Sequence, residues 1–302
     1  MSKDNLPFIS VITLNYNQTA VTCEFLESAG KLTYPHYEIL VCDMASEKDP
    51  TSQIMAGNYP HTRLLVSNEN LGFAGGNNWG IRQAGGEYFF IVNNDTEVTP
   101  DLLEQLVTPF LLNKNIGVTC PKIKFFDQPS TIQYAGFNPM NPFTGRTTTI
   151  GEMEEDRGQY NTPRPTAGAH GCAMMVSREV IDKVGMFPEK FFLYYEEWDW
   201  SARIRKAGYT IWYAGNAEIY HKESMSVGKN NPMKVYYHTR NRILYMRRNV
   251  NVFQMIVFTV FFGLFTLPKS LIGYLARREM PQLKFFLKGV FWNFYSSSYS
   301  KV

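Results

Sequence analysis

Cysteine is scarce in this sequence, which argues against a fold held together by disulfide bonds. The 302 residues include four cysteines, and no two of them have the CxxC spacing of zinc and redox sites. Three of the four lie within apolar segments; the four are Cys23, Cys42, Cys120 and Cys172. We therefore expect buried free thiols and a reducing compartment.

Signals for export and for disorder are also missing. The N-terminal stretch has no uninterrupted apolar run of signal-peptide length, so we expect a cytoplasmic protein. Charged residues make up 19% of the chain and apolar residues 44%, a balance that is typical of globular proteins. The length suffices for one large domain or two small ones.

Acidic residues are almost absent from the last quarter of the chain. Residues 226–302 contain 12 lysines and arginines and one acid, Glu279, whereas residues 1–225 contain 18 basic and 26 acidic residues. The basic segment is also rich in aromatic residues. It is therefore expected to be a different kind of structure from the rest of the chain.

The basic segment contains the most apolar run of the chain, Val252 to Leu267. This run has 16 residues, fewer than the roughly 20 that span a bilayer, and Pro268 and Lys269 interrupt it. Residues 283–295 mix lysine with phenylalanine and tryptophan, as an amphipathic helix in the plane of a membrane does. We expect attachment to a membrane surface and keep a buried helical tail or a homodimer contact as alternatives. Nucleic acid is not an expected partner, because so apolar a run fits poorly beside phosphates in water.

The rest of the chain alternates between short apolar runs and segments with helical spacing. The pattern predicts strands at FISVITLNY, YEILVCD, RLLVSN and EYFFIVNN, with helices between them. This alternation predicts an α/β fold with a mostly parallel sheet, in which ligands bind at the carboxyl ends of the strands. Polar residues follow several predicted strands and should gather at that edge: Asn15, Asp43, Asn68, Asn93, Asn94 and Asp95.

Two common nucleotide-binding fingerprints are absent. No glycine follows the first predicted strand within residues 15–20, where the GxGxxG pattern of nicotinamide-binding proteins would lie, and GxxxxGK[ST] does not occur. A different glycine-rich stretch, residues 68–80, has glycines at 72, 75, 76 and 80. Glycines let a backbone approach a phosphate closely, although a plain turn would use them as well.

Two strand ends carry residue types that suit nucleotide and cation binding. A carboxylate at Asp43 can accept the N3–H of a uracil or thymine ring, which cytosine lacks; the alternative is a helix cap. Asn93, Asn94 and Asp95 offer the oxygen ligands that Mg²⁺ and Mn²⁺ take together with water and substrate phosphates. The alternative for these three residues is a turn, since Asn and Asp are common turn formers.

An acidic cluster lies among aromatic residues at 191–209. Glu196, Glu197 and Asp199 fall within it, and aromatic surroundings raise the pKa of a carboxylate, which suits a general base near neutral pH. Asp199 and Arg203 stand at i and i+4 of the predicted helix and can pair. The alternative is an acidic helix start that complements the helix dipole.

Further along the chain, single residues are candidates for phosphate and metal contacts. His221 is a candidate metal ligand or phosphate donor, with a structural role as the alternative. Arg240 can neutralise a diphosphate in a bidentate manner, and Tyr237 lies three residues before it.

Taken in order, these motifs resemble glycosyltransferase family 2, and in particular its rhamnosyltransferase-like branch with the GT-A fold. The resemblance extends over roughly residues 8–245, from SVITLNYN and VCDMAS through NLGFAGGNN and FFIVNNDTEV to LYYEEWDWSARIRKAGY, YHKESMS and YYHTRN. It implies an inverting transfer of a sugar from a UDP- or dTDP-sugar to a glycan acceptor. It also implies an acceptor linked to lipid and a role in cell-surface polysaccharide synthesis.

The resemblance also implies a role for individual residues. The DxD motif corresponds to Asn93–Asn94–Asp95, where the first carboxylate is missing, and the ED pair corresponds to Glu196–Glu197, which makes Glu197 the general base. Mg²⁺ or Mn²⁺ would be held by Asp95 and His221, and Asp199 matches the second acid. The implied nucleotide contacts are Thr13, Asn15, Asn17, Asp43, Ser46, Asn70, Gly72, Ala74, Asn77, Asn93 and Asn94; the implied diphosphate and acceptor contacts are Arg240, Tyr237 and Gly171.

The expected organisation follows from these assignments. Residues 1–225 form a GT-A domain, with a nucleotide-sugar half at 1–110 and an acceptor half at 111–225. Residues 226–302 form a helical region that attaches to the inner face of the cell membrane. The alternatives are a nucleotidyltransferase that makes the nucleotide sugar, and a catalytically inactive nucleotide-binding member.

Overall fold

The computed structural model describes residues 6–222 and 231–300. The predicted domain boundary at 225/226 and the end of the YHKESMS motif lie outside these residues. The strands are β1 Ile9–Asn15, β2 Tyr37–Asp43, β3 Thr62–Val66, β4 Tyr88–Val92, β5 Thr96–Val98, β6 Ile116–Phe125, β7 Gln128–Tyr134, β8 Arg164–Pro165, β9 Ala173–Ser177 and β10 Thr210–His221. The α-helices are α1 Thr19–Ala29, α2 Thr51–Ala56, α3 Gly72–Gln83, α4 Leu102–Leu112, α5 Arg178–Val184, α6 Glu196–Lys206, α7 Pro232–Asn249, α8 Val252–Phe261, α9 Leu267–Ala276 and α10 Met280–Tyr295.

The described strands form one mixed sheet. Its order is β3-β2-β1-β4-β9-β6-β10-β5, with β7 paired to β6 and β8 paired to β10. The predicted α/β fold is confirmed. The parallel part is the group β3, β2, β1 and β4, together with the β6–β10 pair, whereas β9, β7, β8 and β5 pair antiparallel. The sheet is therefore less parallel than the strand–helix alternation of the N-terminal part alone predicts.

The core of the sheet forms because its central strands are apolar on both faces. Strands β1, β2 and β4 are rich in β-branched and aromatic residues, which favour strands, and nearly all of their side chains are buried. The four cysteines are free and buried, as predicted. Strand β4 pairs with β9 and β5 pairs with β10, so the two predicted halves of the domain share one sheet.

A second, smaller core joins the C-terminal helices to the sheet domain. Trp198 of α6 and Phe191 pack there with residues of α7, α8 and α10, such as Leu244, Phe258 and Phe286. Helix α10 crosses α7 at Gly289, where a Cβ atom would come within 2.8 Å of the carbonyl oxygen of Tyr236. The stretch 283–295 is therefore a helix that packs on α7 with one face, while Phe291, Phe294 and Tyr295 are exposed, so its predicted position in a membrane plane stays a prediction.

The apolar run is longer than the sequence suggested. Helix α8 continues through a π-helical turn, Phe262–Thr266, into α9, so that Val252–Ala276 forms one helix of 25 residues. Pro268 lies in the first turn of α9 and has no backbone N–H to donate to the preceding turn. The π-helical hydrogen-bond pattern before it lets the helix continue without that hydrogen bond. The prediction that Pro268 and Lys269 end the run was wrong. By length and composition this helix can cross a membrane, and most of its surface is exposed.

Candidate functional site

Polar side chains at the ends of β1 and β2 form a hydrogen-bonded group. Asn15 Nδ2 donates to Asp43 Oδ1 at 2.7 Å, and Ser46 donates to the same carboxylate through its hydroxyl (2.6 Å) and its backbone N–H (3.0 Å). Asn17 lies beside this group, since its N–H donates to Ser46 Oγ at 2.8 Å. The parallel register that pairs Asn15 with Asp43 brings these residues together, as the sequence predicted.

The group extends across the sheet edge to β4. Thr22 Oγ1 donates to Asn15 Oδ1 at 2.9 Å and receives a hydrogen bond from Asn94 Nδ2 at 2.9 Å. Thr13 lies buried on the same strand as Asn15, and its hydroxyl has no hydrogen-bond partner in the described structure. A polar edge with an unused buried hydroxyl is suited to a polar ligand.

The glycine-rich stretch is the start of helix α3 and not a loop. The N–H groups of Phe73 and Ala74 donate to the carbonyl of Phe192 at 2.7 and 3.3 Å, and the Gly72 N–H donates to Asn70 Oδ1 at 2.9 Å. Asn77 is also engaged, through Nδ2 to the Phe73 carbonyl at 2.9 Å. These donors are already used by the protein, so the structure does not support the predicted nucleotide contacts of Asn70, Gly72, Ala74 and Asn77 through them.

Gly72 has a structural reason to be glycine. Its φ is +69°, and a Cβ atom there would lie 2.5 Å from the ring of Phe192. The start of α3 is thus packed directly against the segment that precedes the acidic helix α6.

Asp95 and His221 form a buried pair at the adjoining end of the sheet. His221 Nε2 lies 3.2 Å from Asp95 Oδ1, and that oxygen has no hydrogen bond. On the other side of the ring, Nδ1 contacts Gln133 Oε1 at 2.8 Å, which places the proton on Nδ1 because the amide oxygen can only accept. Burial lowers the pKa of His221, but Cys172 and Asp95 act in the opposite direction and raise the pKa well above its usual range.

The donor set of this pair suits a divalent cation. The raised pKa means that His221 carries a proton on Nε2 that faces Asp95 Oδ1, and a divalent cation bound by both atoms would take the place of this proton. Neighbouring ligands of an octahedral Mg²⁺ at about 2.1 Å are roughly 3 Å apart, which is close to the observed separation. No cluster of three or more His, Cys, Asp or Glu occurs within residues 6–222 and 231–300, so two protein ligands are available and the other ligands would be water or substrate.

Asn93 contacts this region through its backbone. Its N–H donates to the carbonyl of Cys172 at 2.8 Å. Cys172 follows Gly171, and a Cβ atom at Gly171 would lie 3.9 Å from the carboxyl carbon of Glu197. The loop that contains Gly171 and Cys172 therefore reaches both the Asp95–His221 pair and the acidic cluster.

The two glutamates of the acidic cluster have different environments. Burial and the neighbouring Glu197 raise the pKa of Glu196 well above its usual range. Burial raises the pKa of Glu197 to about 7, which is in the range that suits a general base. Each carboxyl group has one buried oxygen, Oε2, without a hydrogen-bond partner in the described structure.

Glu197 lines a cleft of about 280 Å³. The other lining residues are Met140, Arg146, Thr147, Tyr194, Tyr195, Trp198 and His238. His238 stacks on Tyr194, and burial lowers the pKa of His238 to about 4, so its ring is neutral. Glu197 is thus the carboxylate of a cleft with aromatic walls.

The carboxylate of Asp199 is occupied by hydrogen bonds within the protein. Arg248 donates to both of its carboxylate oxygens at 2.7 and 3.1 Å, and Arg203 and Asn249 add further hydrogen bonds at 3.3 and 2.8 Å. The predicted pairing with Arg203 is present. Because the whole carboxylate is occupied and 1% exposed, the geometry favours a structural role over the predicted catalytic one.

The guanidinium of Arg240 also makes structural contacts. Its guanidinium donates to the carbonyls of Lys190 and Phe191 at 2.9 and 2.5 Å and lies over the rings of Tyr237 and Trp292. This arrangement does not support the predicted diphosphate contact, since the planar group is buried and its Nε and Nη2 donors are used within the protein. Tyr237 stacks on Phe192 and likewise supports the segment before α6.

The segment before α6 has a strained backbone that α7 holds in place. Phe192, Tyr194 and Tyr195 have φ values of +63°, +67° and +72°, which are rare for residues other than glycine. Asn241 Nδ2 contacts the carbonyls of Phe191, Leu193 and Tyr194 at 2.7 to 3.0 Å. Such strain is common at functional sites, and here it fixes the start of helix α6 and so the positions of Glu196 and Glu197.

Several residues of the site were missed by sequence reasoning. Asn78 binds the backbone of Phe187 through both of its amide atoms, at 2.8 and 3.0 Å, and so fastens α3 to the segment before α6. The signal was a buried polar residue within an apolar helix, which needs a partner. The other missed residues are Thr22, Gln133, His238 and Arg248.

Fold and site together fit a transferase of the α/β class. The sequence profile described as "Glycosyl transferase family 2" matches residues 10–185. This match covers more than half of the chain, so the protein belongs to glycosyltransferase family 2, as the motifs indicated.

Curated relatives agree with this family assignment. The chain is 24% identical to the N-acetylglucosaminyl-diphospho-decaprenol L-rhamnosyltransferase of Mycobacterium tuberculosis over 258 residues, which are 79% of this chain and 83% of that protein. It is 28% identical to the low-salt glycan biosynthesis hexosyltransferase Agl10 of Haloferax volcanii over 189 residues, 60% of this chain and 58% of that protein. The resemblance to the rhamnosyltransferase-like branch is confirmed.

Solved structures confirm the GT-A-like fold. The mannosyltransferase PcManGT of Pyrobaculum calidifontis, solved with GDP-Man and Mn²⁺, superposes with a TM-score of 0.60 at 15% identity over 97% of this chain and 88% of that chain. GalNAc-T7, solved with UDP, GalNAc and Mn²⁺, has a TM-score of 0.62 at 16% identity over 80% of this chain. The match spans 51%, about half, of the GalNAc-T7 chain.

Proposed function

We propose that this glycosyltransferase inverts the anomeric centre as it moves a sugar from a UDP- or dTDP-sugar to a lipid-linked glycan acceptor in cell-surface polysaccharide synthesis. The observation that carries the proposal is Glu197, whose carboxylate lies in a cleft and has a pKa of about 7. A carboxylate with this pKa can take a proton from a sugar hydroxyl at physiological pH.

The nucleoside binds at the polar edge formed by Asn15, Asp43 and Ser46. The Asp43 carboxylate accepts three hydrogen bonds from Asn15 and Ser46, and a carboxylate offers about four acceptor positions. The remaining position, on Oδ2, takes the N3–H of a uracil or thymine ring. Thr13, with its unpartnered hydroxyl, supports a ligand on the same edge.

The diphosphate lies next to Asp95 and His221. These residues would hold Mg²⁺ or Mn²⁺, which supplies positive charge against the departing diphosphate when it is bound. Structural neighbours that were solved with Mn²⁺ support this assignment. Gln133 orients the His221 ring, so that Nε2 and not Nδ1 faces the site.

The chemical step is a single displacement. Glu197 accepts the proton of the acceptor hydroxyl, and the hydroxyl oxygen forms a bond to the anomeric carbon as the bond from that carbon to the diphosphate oxygen breaks. Attack from the face opposite to the leaving group inverts the configuration. Glu196 stays protonated, so that its neighbour carries the one negative charge of the pair.

The exposed helix Val252–Ala276 attaches the enzyme to the membrane that contains the acceptor. Phe253, Val260 and Leu264 are 67%, 53% and 67% exposed on a long apolar helix, and the surrounding C-terminal region is strongly basic. Apolar residues beside positive charges favour the anionic inner face of a cell membrane. Replacing these three residues with glutamine should abolish flotation with anionic vesicles. The matched control replaces the exposed Met55, Leu112 and Met153, far along the chain from this helix.

A thermal-melt panel tests the donor assignment. UDP, dTDP, GDP and CDP are each added with Mn²⁺, with Mg²⁺ and with chelator. A ligand at 100 times its dissociation constant stabilises the fold by about 2.7 kcal/mol, a shift of several degrees. We expect a shift with UDP or dTDP that depends on metal. A shift with GDP alone would refute the role of Asp43, and no shift with any nucleotide would support an inactive member of the family.

A further inference from the structure

A tight turn, residues 141–146, separates the cleft of Glu197 from the exposed helix α8. Asn141 Oδ1 accepts hydrogen bonds from the N–H groups of Phe143 and Thr144 at 2.9 and 3.1 Å, and the Asn141 N–H donates to the Arg146 carbonyl at 2.8 Å. Gly145 completes the turn with a φ of +59°. This turn has a fixed shape, so its side chains have defined directions.

One side of the turn lines the cleft. Arg146 lines the cleft together with Glu197, and Tyr195 donates to the Gly145 carbonyl at 3.4 Å. Tyr195 lines the same cleft and lies between the turn and the helix that begins with Glu196 and Glu197. Arg146 is exposed, and its guanidinium has no ion pair or hydrogen bond within the described parts of the chain.

The outer side of the turn contacts helix α8. The ring of Phe143, 39% exposed, meets the ring of Phe253 edge to face with centroids 6.4 Å apart. Arg242 joins the turn to the helix as well, because it donates to the Thr144 carbonyl at 2.8 Å while its guanidinium lies over Phe258 and Phe262. The turn therefore connects the apolar helix with the base.

The charges of the cleft favour an anion near Arg146. Among the described residues that line it, Glu197 and His238 are the other groups that titrate between acid and neutral pH, and the His238 ring is uncharged. Among these lining residues, Arg146 therefore carries the permanent positive charge. The planar set of N–H donors of its guanidinium matches phosphate oxygens. The volume of about 280 Å³ lies at the small end of ligand pockets and suits a single sugar unit.

We propose that Arg146 binds the diphosphate of the lipid-linked acceptor and that Phe143 contacts the first part of its hydrocarbon chain, which continues along α8. This inference rests on the proposed function and assigns its acceptor subsite. The acceptor sugar then lies in the cleft with its hydroxyl at Glu197, its diphosphate lies at the turn and its lipid lies against the membrane helix. Arg146 acts on acceptor recognition and not on the donor.

The test measures binding of farnesyl diphosphate to the full chain by titration calorimetry, with chelator present so that the Asp95–His221 pair holds no metal. We expect Arg146→Gln to weaken this binding about tenfold or more, as loss of a charge-assisted hydrogen bond does. Lys206→Gln, an exposed cation on α6, is the matched control and should bind as the wild type does. Phe143→Gln should weaken binding of farnesyl diphosphate and leave binding of inorganic diphosphate unchanged.

The same samples distinguish this inference from the proposed function. If the wild type shows the metal-dependent nucleotide shift but Arg146→Gln binds farnesyl diphosphate as tightly as the wild type, the acceptor subsite is refuted and the transferase proposal stands. If the wild type does not bind farnesyl diphosphate at all, the subsite is also refuted. If Arg146→Gln loses farnesyl diphosphate and keeps the nucleotide shift, the subsite is supported independently of the donor site.

Discussion

Substitution by glutamine should have different effects at the two adjacent glutamates of helix α6. Glu197 is expected to act as base only when it is ionised, and its pKa is raised to about 7 by burial. We expect Glu196 to be protonated at neutral pH, because burial and the charge of Glu197 raise its pKa further. A glutamine resembles a protonated glutamate, so Glu196→Gln should change little, whereas Glu197→Gln should remove the base.

The magnitude follows from the ionised fraction of Glu197. With a pKa near 7, roughly a tenth of the enzyme is active at pH 6 and about nine-tenths at pH 8, so kcat/KM should rise about ninefold between them. Removal of a general base typically costs about a hundredfold to ten-thousandfold in rate. Glu196→Gln should retain both the rate and the midpoint of the profile, and Glu197→Asp should retain the rising profile at a lower rate.

The assay is release of nucleoside diphosphate as a function of pH, with nucleotide binding measured in parallel. Binding of the nucleotide should be equal in the wild type and both variants, because neither glutamate belongs to the polar edge of β1 and β2. The reasoning is refuted if Glu196→Gln is the inactive variant, or if the wild-type rate is flat between pH 6 and 8 while chemistry limits the rate.

Three further predictions concern the residues that support the site. Asp199→Asn leaves the partly buried Arg248 without its counter-charge and should lower the free energy of unfolding by about 2 kcal/mol in urea titrations, whereas the exposed Asp127→Asn should not. Asn241→Ala releases the strained segment before α6 and should reduce kcat about a hundredfold at unchanged UDP affinity; a parallel loss of UDP binding would count against this role. Gln133→Ala frees the His221 ring and should weaken activation by Mn²⁺ about tenfold, and an unchanged metal titration would contradict that assignment.

The sequence was informative where chemistry is encoded locally. The alternation of apolar strands with helices determined the fold class, and the carboxyl ends of parallel strands share an edge, so Asn15 and Asp43 could be placed side by side in advance. The aromatic neighbours marked Glu196, Glu197 and Asp199 together as candidate bases, and the family resemblance singled out Glu197 among them.

The sequence was misleading where a side chain's partner comes from a distant element. Asp199 was predicted to act in catalysis and Arg240 to contact the diphosphate. In the structure Arg248 binds the Asp199 carboxylate and Arg240 donates to the backbone before α6, and neither contact is visible in local spacing. Pro268 read as the end of a helix because proline usually breaks one, yet a π-helical turn before it lets the helix continue.

The loop of Gly171 and Cys172 links the binding of the two substrates. The Cys172 carbonyl accepts a hydrogen bond from Asn93 beside the Asp95–His221 pair, and Gly171 lies next to Glu197. A donor that orders the contact between Asn93 and Cys172 therefore also orders the position of the base. Coupling of this kind is reciprocal, since each substrate then raises the affinity for the other by the same factor. We therefore expect steady-state kinetics in which a higher concentration of either substrate lowers the KM of the other.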